Sequence, residues 1–314
     1  MSAPPQPLDR RAWRQLVIIT VAALALFLFF RWLPTGTNLS HMDFRAADAK
    51  NSIEFCDPLN PQFIPVVEMQ SPVALTLTPV GEAPLAPGTP AHFTLTLKTA
   101  GGKPIAPADL IVTHTKPLHL LIIDPWLNDY QHVHPEPGAR AGEWTFAFTP
   151  KREGKYRVFA DFTPVVTARG LYASTDVQIG KSGLPASFTL VMKHEESWVV
   201  ERDGYRFVLG PGAPPVRAKV PVDLKLVVTR KDGKPVPMEP VMGAFAHLVA
   251  FDEARSGFAH LHPNEVNPLT PPDAVKPVLN FKIMIPAAGN YVIWSQLNLG
   301  GREVFVPFWF DVAP

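Results

Sequence analysis

Two stretches of this chain carry the same ordered set of residues, and that duplication limits the fold more than any other feature. In the first, Phe93, Leu95 and Leu97 alternate with His92, Thr94, Thr96 and Lys98, then a turn leads to Gly102-Lys103-Pro104. In the second, Leu224, Leu226 and Val228 alternate in the same way before Gly233-Lys234-Pro235, 131 residues further on. Each tripeptide precedes an apolar segment opening on a histidine, Leu118-His119-Leu120-Leu121-Ile122-Ile123 and Ala246-His247-Leu248-Val249-Ala250-Phe251. An acidic turn follows, then Tyr130-Gln131-His132-Val133-His134-Pro135 and Phe258-Ala259-His260-Leu261-His262-Pro263. The spacing His-x12-His-x-His-Pro is the same in both. Gly154-Lys155-Tyr156 with Phe159, and Gly289-Asn290-Tyr291 with Trp294, extend the match. An order of features shared this far marks an internal duplication.

Period-two alternation denotes strands with one face on a core. The chain holds 36 prolines, well above the average share of about 5%; proline removes a backbone donor and breaks helix interiors, so the frequency favours short strands and turns. Each repeat is long enough for an antiparallel sandwich of immunoglobulin-like type, about 100 residues, although the Cys-Trp-Cys hallmark is missing. The expected fold is all-β, with tandem immunoglobulin-like antiparallel β-sandwiches after one N-terminal transmembrane helix. The expected divisions are a cytoplasmic N-terminus 1–13, an anchor 14–33, a tether 34–69, a first sandwich 70–181 and a second 186–314, with a short helix inside the tether between Met42 and Ile53. A single cysteine, Cys56, excludes an intrachain disulfide. The flanking Glu54 and Asp57 favour its thiol over the thiolate, which fits an idle or buried residue better than a nucleophile.

Leu16 to Phe30 is apolar throughout except for Thr20. With Arg14 and Arg31 snorkelling and Trp32-Leu33 beyond, it reaches the length of a bilayer crossing. Arg10, Arg11 and Arg14 precede it and Arg31 alone follows closely, so the positive-inside bias places the bulk of the chain beyond the inner (plasma) membrane, in the periplasmic or extracytoplasmic space. A cleaved signal peptide is the rival, but the bulky Arg31, Trp32 and Leu33 offer no small-x-small site. With 29 Lys plus Arg against 28 Asp plus Glu, and no basic cluster interleaved with aromatics, nucleic acid is not an expected partner; the membrane is, together with some membrane-protein partner.

Six of the ten histidines fall in the repeated motif. Alternate residues of a strand share a face, so His132 pairs with His134 and His260 with His262. Folding each segment as a hairpin sets His247 opposite His262 and His119 opposite His134, which gathers three imidazoles per repeat. Such a set suits Zn²⁺ or Cu²⁺ with a fourth position open, its hold weakening below about pH 6.5 as free imidazoles protonate. Asp124, Glu136, Asp252 and Glu265 are near enough in sequence to ligate or to orient a ring. Two other readings remain: imidazoles packed against backbone, and pH sensing or proton transfer. His41, His92, His114 and His194 have no counterpart in the other repeat, and His92 is placed on the solvent face of its strand.

Through the Gly-Lys-Pro … His … His-x-His-Pro stretch, the chain resembles poorly characterised bacterial exported sandwich-domain proteins associated with copper and heavy-metal handling. The resemblance covers about 60 residues of each repeat and implies an envelope location and a metal role for His119, His132, His134, His247, His260 and His262. One departure is that small periplasmic copper-resistance sandwiches use a freed N-terminal ligand, which an uncleaved anchor removes. The spacing around His134 does not fit a cupin, and the cysteine precedes both repeats, which does not fit a cupredoxin. The expected function is a copper or zinc carrier, buffer or assembly factor, with a docking module for a membrane complex as the alternative. No nucleophile elbow, phosphate loop or nucleophile with a partner is present, so an enzyme is not expected.

Overall fold

The computed structural model describes residues 9–32, 39–45, 62–181, 195–212, 214–264 and 270–314. Cys56, His194, Glu265 and the expected boundary between repeats at 182–185 lie outside them. The described residues form two compact units, 1–38 and 39–314.

The first unit is α1 (Arg10–Trp32). Asp9 Oδ1 caps its start by accepting from the Ala12 amide at 2.6 Å. The hydroxyl of Thr20 donates to the Leu16 carbonyl at 2.8 Å, which removes the polar interruption from its surface. At 1.5 Å per residue the helix is about 35 Å long. It is long and apolar enough to cross a membrane.

The second unit is built of strands. In the first repeat these are β1 (Val73–Pro79), β2 (Ala91–Thr99), β3 (Leu110–Ile111), β4 (Leu118–Ile123), β5 (Tyr130–Val133), β6 (Glu136–Pro137), β7 (Glu143–Phe148), β8 (Gly154–Pro164) and β9 (Leu171–Ile179). In the second they are β10 (Val199–Arg202), β11 (Tyr205–Pro211), β12 (Val222–Arg230), β13 (Met238–Glu239), β14 (His247–Asp252), β15 (Phe258–Leu261), β16 (Val278–Ile283), β17 (Gly289–Leu299) and β18 (Glu303–Val312). They pair into four antiparallel sheets, two per repeat. β1-β2-β7-β6 faces β3-β8-β4-β5, with β9 beside β8; β10-β11-β12-β16 faces β13-β17-β14-β15, with β18 beside β17. The fold is all-β after one apolar helix, a tandem of immunoglobulin-like sandwiches.

Alternation follows burial where one face meets solvent: Phe93, Leu95 and Leu97 are fully buried in β2 while His92 is exposed. β4 and β14 read differently, as nearly continuous apolar runs, because both of their faces are covered. Leu118, Leu120 and Ile122 point into the first sandwich's own core, and Leu248 and Ala250 into the second's. The opposite faces meet each other. Leu121, Ile123, Tyr130 and Phe159 pack against Val249, Phe251, Val292 and Trp294 in a third core between the repeats, with Phe159 and Phe251 stacked at 6.0 Å.

The expected tether is in part packed structure. Leu39 and Phe44 belong to the first sandwich's core, and Asp43 pairs with Lys103 of the first Gly-Lys-Pro turn at 2.8 Å. Phe63 enters the second core, and Ile64 pairs with Phe258 at the edge of β15. Apolar residues at close spacing in a proline-rich stretch find burial here without a helix of their own; between Met42 and Ile53 the described residues contribute only to the 3₁₀ turn His41–Phe44.

Candidate metal centre

The hairpin register places the histidines as the repeat spacing requires. Leu120 faces Val133 and Leu248 faces Leu261, so His119 and His134, and His247 and His262, fall opposite one another across their hairpins. All six imidazoles lie on the faces of β4-β5 and β14-β15 that meet between the repeats. Ring centroids within the first triad, His119, His132 and His134, are 5.4, 4.9 and 4.8 Å apart. In the second, His247, His260 and His262, they are 5.5, 4.9 and 4.7 Å apart. Two sequences that differ at most other positions thus build one geometry twice. In each triad one nitrogen from every ring lies within 4.8 Å of the others, so each can hold a metal ion.

Hydrogen bonds on the outer nitrogens fix which nitrogen faces inward. The opening histidine of each repeat donates from Nε2 to a backbone carbonyl: His119 to Thr113 at 3.0 Å, His247 to Val241 at 2.9 Å. Their Nδ1 atoms therefore present lone pairs. The middle histidine is held from the other repeat. His132 Nδ1 meets Gln296 Oε1 at 2.9 Å. The Gln296 amide is itself oriented by donating to the Glu303 carboxylate at 3.0 Å, so its oxygen faces His132 and His132 Nδ1 carries the proton. His260 Nδ1 donates to Asp161 Oδ2 at 3.1 Å.

Four of the inward nitrogens, those of His119, His132, His247 and His260, thus carry lone pairs. His119 Nδ1 lies 3.2 Å from both His132 Nε2 and His134 Nε2, yet His119 and His132 both turn lone pairs to that contact. In the second triad His247 Nδ1, His260 Nε2 and His262 Nε2 are buried with no hydrogen-bond partner. Two nitrogens bound at about 2.05 Å to a tetrahedral Zn²⁺ stand about 3.3 Å apart. The spacing, the lone pairs and the orphaned atoms all fit a metal cation.

Burial is the first cause of a downward pKa shift in all six rings. His134 falls to about 4 and His247 to about 3. Repulsion from neighbouring rings deepens the fall of His132, His260 and His262. The triads are therefore neutral near pH 7, the form that ligates.

Three of the carboxylates expected near the rings, Asp124, Asp252 and Glu136, act elsewhere. Asp124 Oδ1 accepts from the amides of Asn128 and Asp129 at 2.6 and 2.9 Å, and Asp252 Oδ1 from Ser256 at 2.7 Å; both tie the hairpin turns. Glu136 is exposed and pairs with Lys116 at 3.1 Å. The acidic residue that reaches an imidazole is Asp161, on β8 opposite His119. Its counterpart opposite His247 on β17 is Gln296. Neither stands out in sequence, because duplication has left them as different residue types. His114 is also drawn in: its ring stacks on His262 of the other repeat at 3.7 Å. His41 and His92 are exposed and stand apart from the triads.

The sequence matches the family described as Domain of unknown function (DUF8832) over residues 71–178 and 199–314. The chain belongs to that family. The DUF8832 segments contain both triads, Asp161, Gln296 and His114, so the whole centre lies within the matched residues. No curated protein matches the sequence. Among solved structures, a Salmonella alpha-2-macroglobulin reacted with methylamine is similar at 13% identity and a TM-score of 0.25, covering 84% of this chain and 16% of that one. A putative membrane anchored protein from Corynebacterium diphtheriae is similar at 8% identity and 0.23, covering 78% and 59%. A DUF4785 family protein from Legionella pneumophila is similar at 11% and 0.24, covering 77% and 56%. The chain spans less than two thirds of the length of each.

Proposed function

We propose that this DUF8832 protein is a membrane-anchored metal-binding protein that holds copper or zinc at two three-histidine sites between its sandwiches, as a carrier, buffer or assembly factor. The observation that carries this reading is the set of buried, unpaired nitrogens on His247, His260 and His262, matched by the inward lone pairs of the first triad. Outer hydrogen bonds hold every ring whose tautomer is fixed so that its free nitrogen points at its neighbours. A binding protein needs no more than this. Among the described residues the carboxylate at the triads, Asp161, is engaged with His260, which suits a holding site. α1 serves in this reading as an uncleaved anchor, with the arginines before it on the cytoplasmic side and the sandwiches in the extracytoplasmic space.

The test uses the full chain, purified in detergent without a His tag, its metal content measured after copper or zinc loading and desalting. Wild type is expected to retain two equivalents. The triple variants His119→Ala/His132→Ala/His134→Ala and His247→Ala/His260→Ala/His262→Ala are each expected to retain one. Wild type with no metal above background overturns the reading and points to the histidines as packing residues of a docking module.

A further inference from the structure

The rings of one triad stand about as close to those of the other as to their own partners. The middle rings, His132 and His260, have centroids 5.4 Å apart. His119 and His260 are 6.0 Å apart, and His132 and His247 6.3 Å. Within the second triad the spacings run from 4.7 to 5.5 Å. His132 and His260 cross at 83°, an edge-to-face contact that leaves no space for a side chain between them. The two triads are therefore in direct contact.

Their supports are exchanged between them. Asp161 stands opposite His119 in the β4-β8 ladder and accepts the proton of His260 Nδ1. Gln296 stands opposite His247 in the β14-β17 ladder and accepts that of His132 Nδ1. Each support thus neighbours one triad and orients a ring of the other. His114 joins them as well. It belongs to the first repeat, stacks on His262 of the second at 3.7 Å, and lies 6.3 Å from both His119 and His260.

Each triad keeps its own convergent set of three nitrogens, so the cluster offers two cation positions rather than one. An ion bound at about 2.05 Å from its nitrogens lies within its own triad, and the neighbouring triad begins at the next ring. We propose that the two triads form one dinuclear centre: a pair of divalent ions, one per triad, held close enough at the contact between the repeats to interact, with Asp161 as a carboxylate common to both. This rests on the metal-binding reading above and adds that the two ions are coupled. Neutral imidazoles do not offset the charge of a cation, and Asp161 supplies a single negative charge to the pair. The second ion therefore enters against the field of the first, and loading is expected in two steps, the second weaker.

Cu²⁺ is the probe, because it is paramagnetic and an imidazole site that takes Zn²⁺ takes Cu²⁺ more tightly. The full chain, purified in detergent without a His tag, is loaded with one and then two equivalents and read by electron paramagnetic resonance. One equivalent is expected to give the spectrum of an isolated ion with nitrogen couplings. Two are expected to broaden that spectrum, lower its intensity per ion and add a half-field transition, the signs of two coupled spins. Either triple alanine variant is expected to keep one ion with a sharp, uncoupled spectrum, which locates the coupling between the triads. Asp161→Asn is expected to weaken both steps by about 10- to 100-fold in titrations against a competing chelator; a loss confined to one step overturns the shared role of Asp161. Two equivalents that give twice the signal of one, unbroadened, overturn the coupling and leave two independent metal sites. Saturation at one equivalent, lost from either triple variant, overturns the pair in favour of a single shared ion. A wild type that takes up neither Cu²⁺ nor Zn²⁺ overturns the metal-binding reading itself.

Discussion

Each motif histidine is kept neutral by burial, and that has opposite consequences for the empty and loaded protein. Unfolded imidazoles titrate near pH 6.5, whereas the folded rings stay neutral to about 4 for His134 and about 3 for His247. Between those limits the unfolded chain binds more protons, so stability falls as the pH falls. The metal-free protein should show a nearly constant melting temperature above pH 7 and a progressive drop from about pH 6.5 towards 4. The depressed carboxyls Asp43 and Asp176 add to the loss only at lower pH. The raised carboxyls Asp109, Asp124 and Asp161 act in the opposite sense and shallow the slope. Thermal unfolding across a pH series checks this, and a flat profile from 6.5 to 4.5 contradicts it. In the folded protein, protons do not compete for the ligands until well below the free-imidazole range. Bound metal should therefore survive dialysis at pH 5.5, where sites of unperturbed histidines would have begun to empty.

At the scale of elements, the β14-β15 hairpin carries the second triad, and its turn is tied by one carboxylate. Asp252 Oδ1 receives the amide of Ser256. A side chain at Gly257 would collide with the Ile64 backbone beside it. Asp252→Ala should cost about 1–3 kcal/mol by leaving turn amides unpaired, and should weaken metal binding at the second triad more than at the first. Chemical denaturation and site-resolved metal titration check the two parts. This hairpin was also the most legible piece of the chain. Its strand period and the equal spacing of the histidines fixed the register that sets His247 opposite His262. Asp161 and Gln296 were not legible, because each acts on a ring of the other repeat and no local pattern encodes that meeting. His114 has no histidine counterpart in the other repeat, and its stack on His262 is a contact between repeats that no local pattern encodes. The doubly buried apolar runs of β4 and β14 were the available sign that the two sheets pack together.

For the whole molecule, each triad is oriented across the docked repeats. His132 is oriented by the second repeat and His260 by the first, and the apolar core that presses the sheets together lies beside them. Phe251 is fully buried there, against Phe159 and Tyr130, whereas Phe93 is equally buried inside the first sandwich alone. Truncating either should cost about 3–5 kcal/mol, so global stability does not tell them apart. Metal affinity should. Phe251→Ala loosens the contact through which each repeat orients the other's middle histidine, and is expected to weaken both sites in the protein that remains folded. Phe93→Ala is expected to lower the melting temperature by a similar amount with little change in affinity. By linkage, saturating metal should raise the melting temperature of wild type, and Phe251→Ala should reduce that increment where Phe93→Ala preserves it. Calorimetric melts of the three proteins with and without metal decide the matter. An equal metal-induced increment in all three would mean that each triad is a property of its own hairpin, and that docking of the sandwiches serves some purpose other than building the sites.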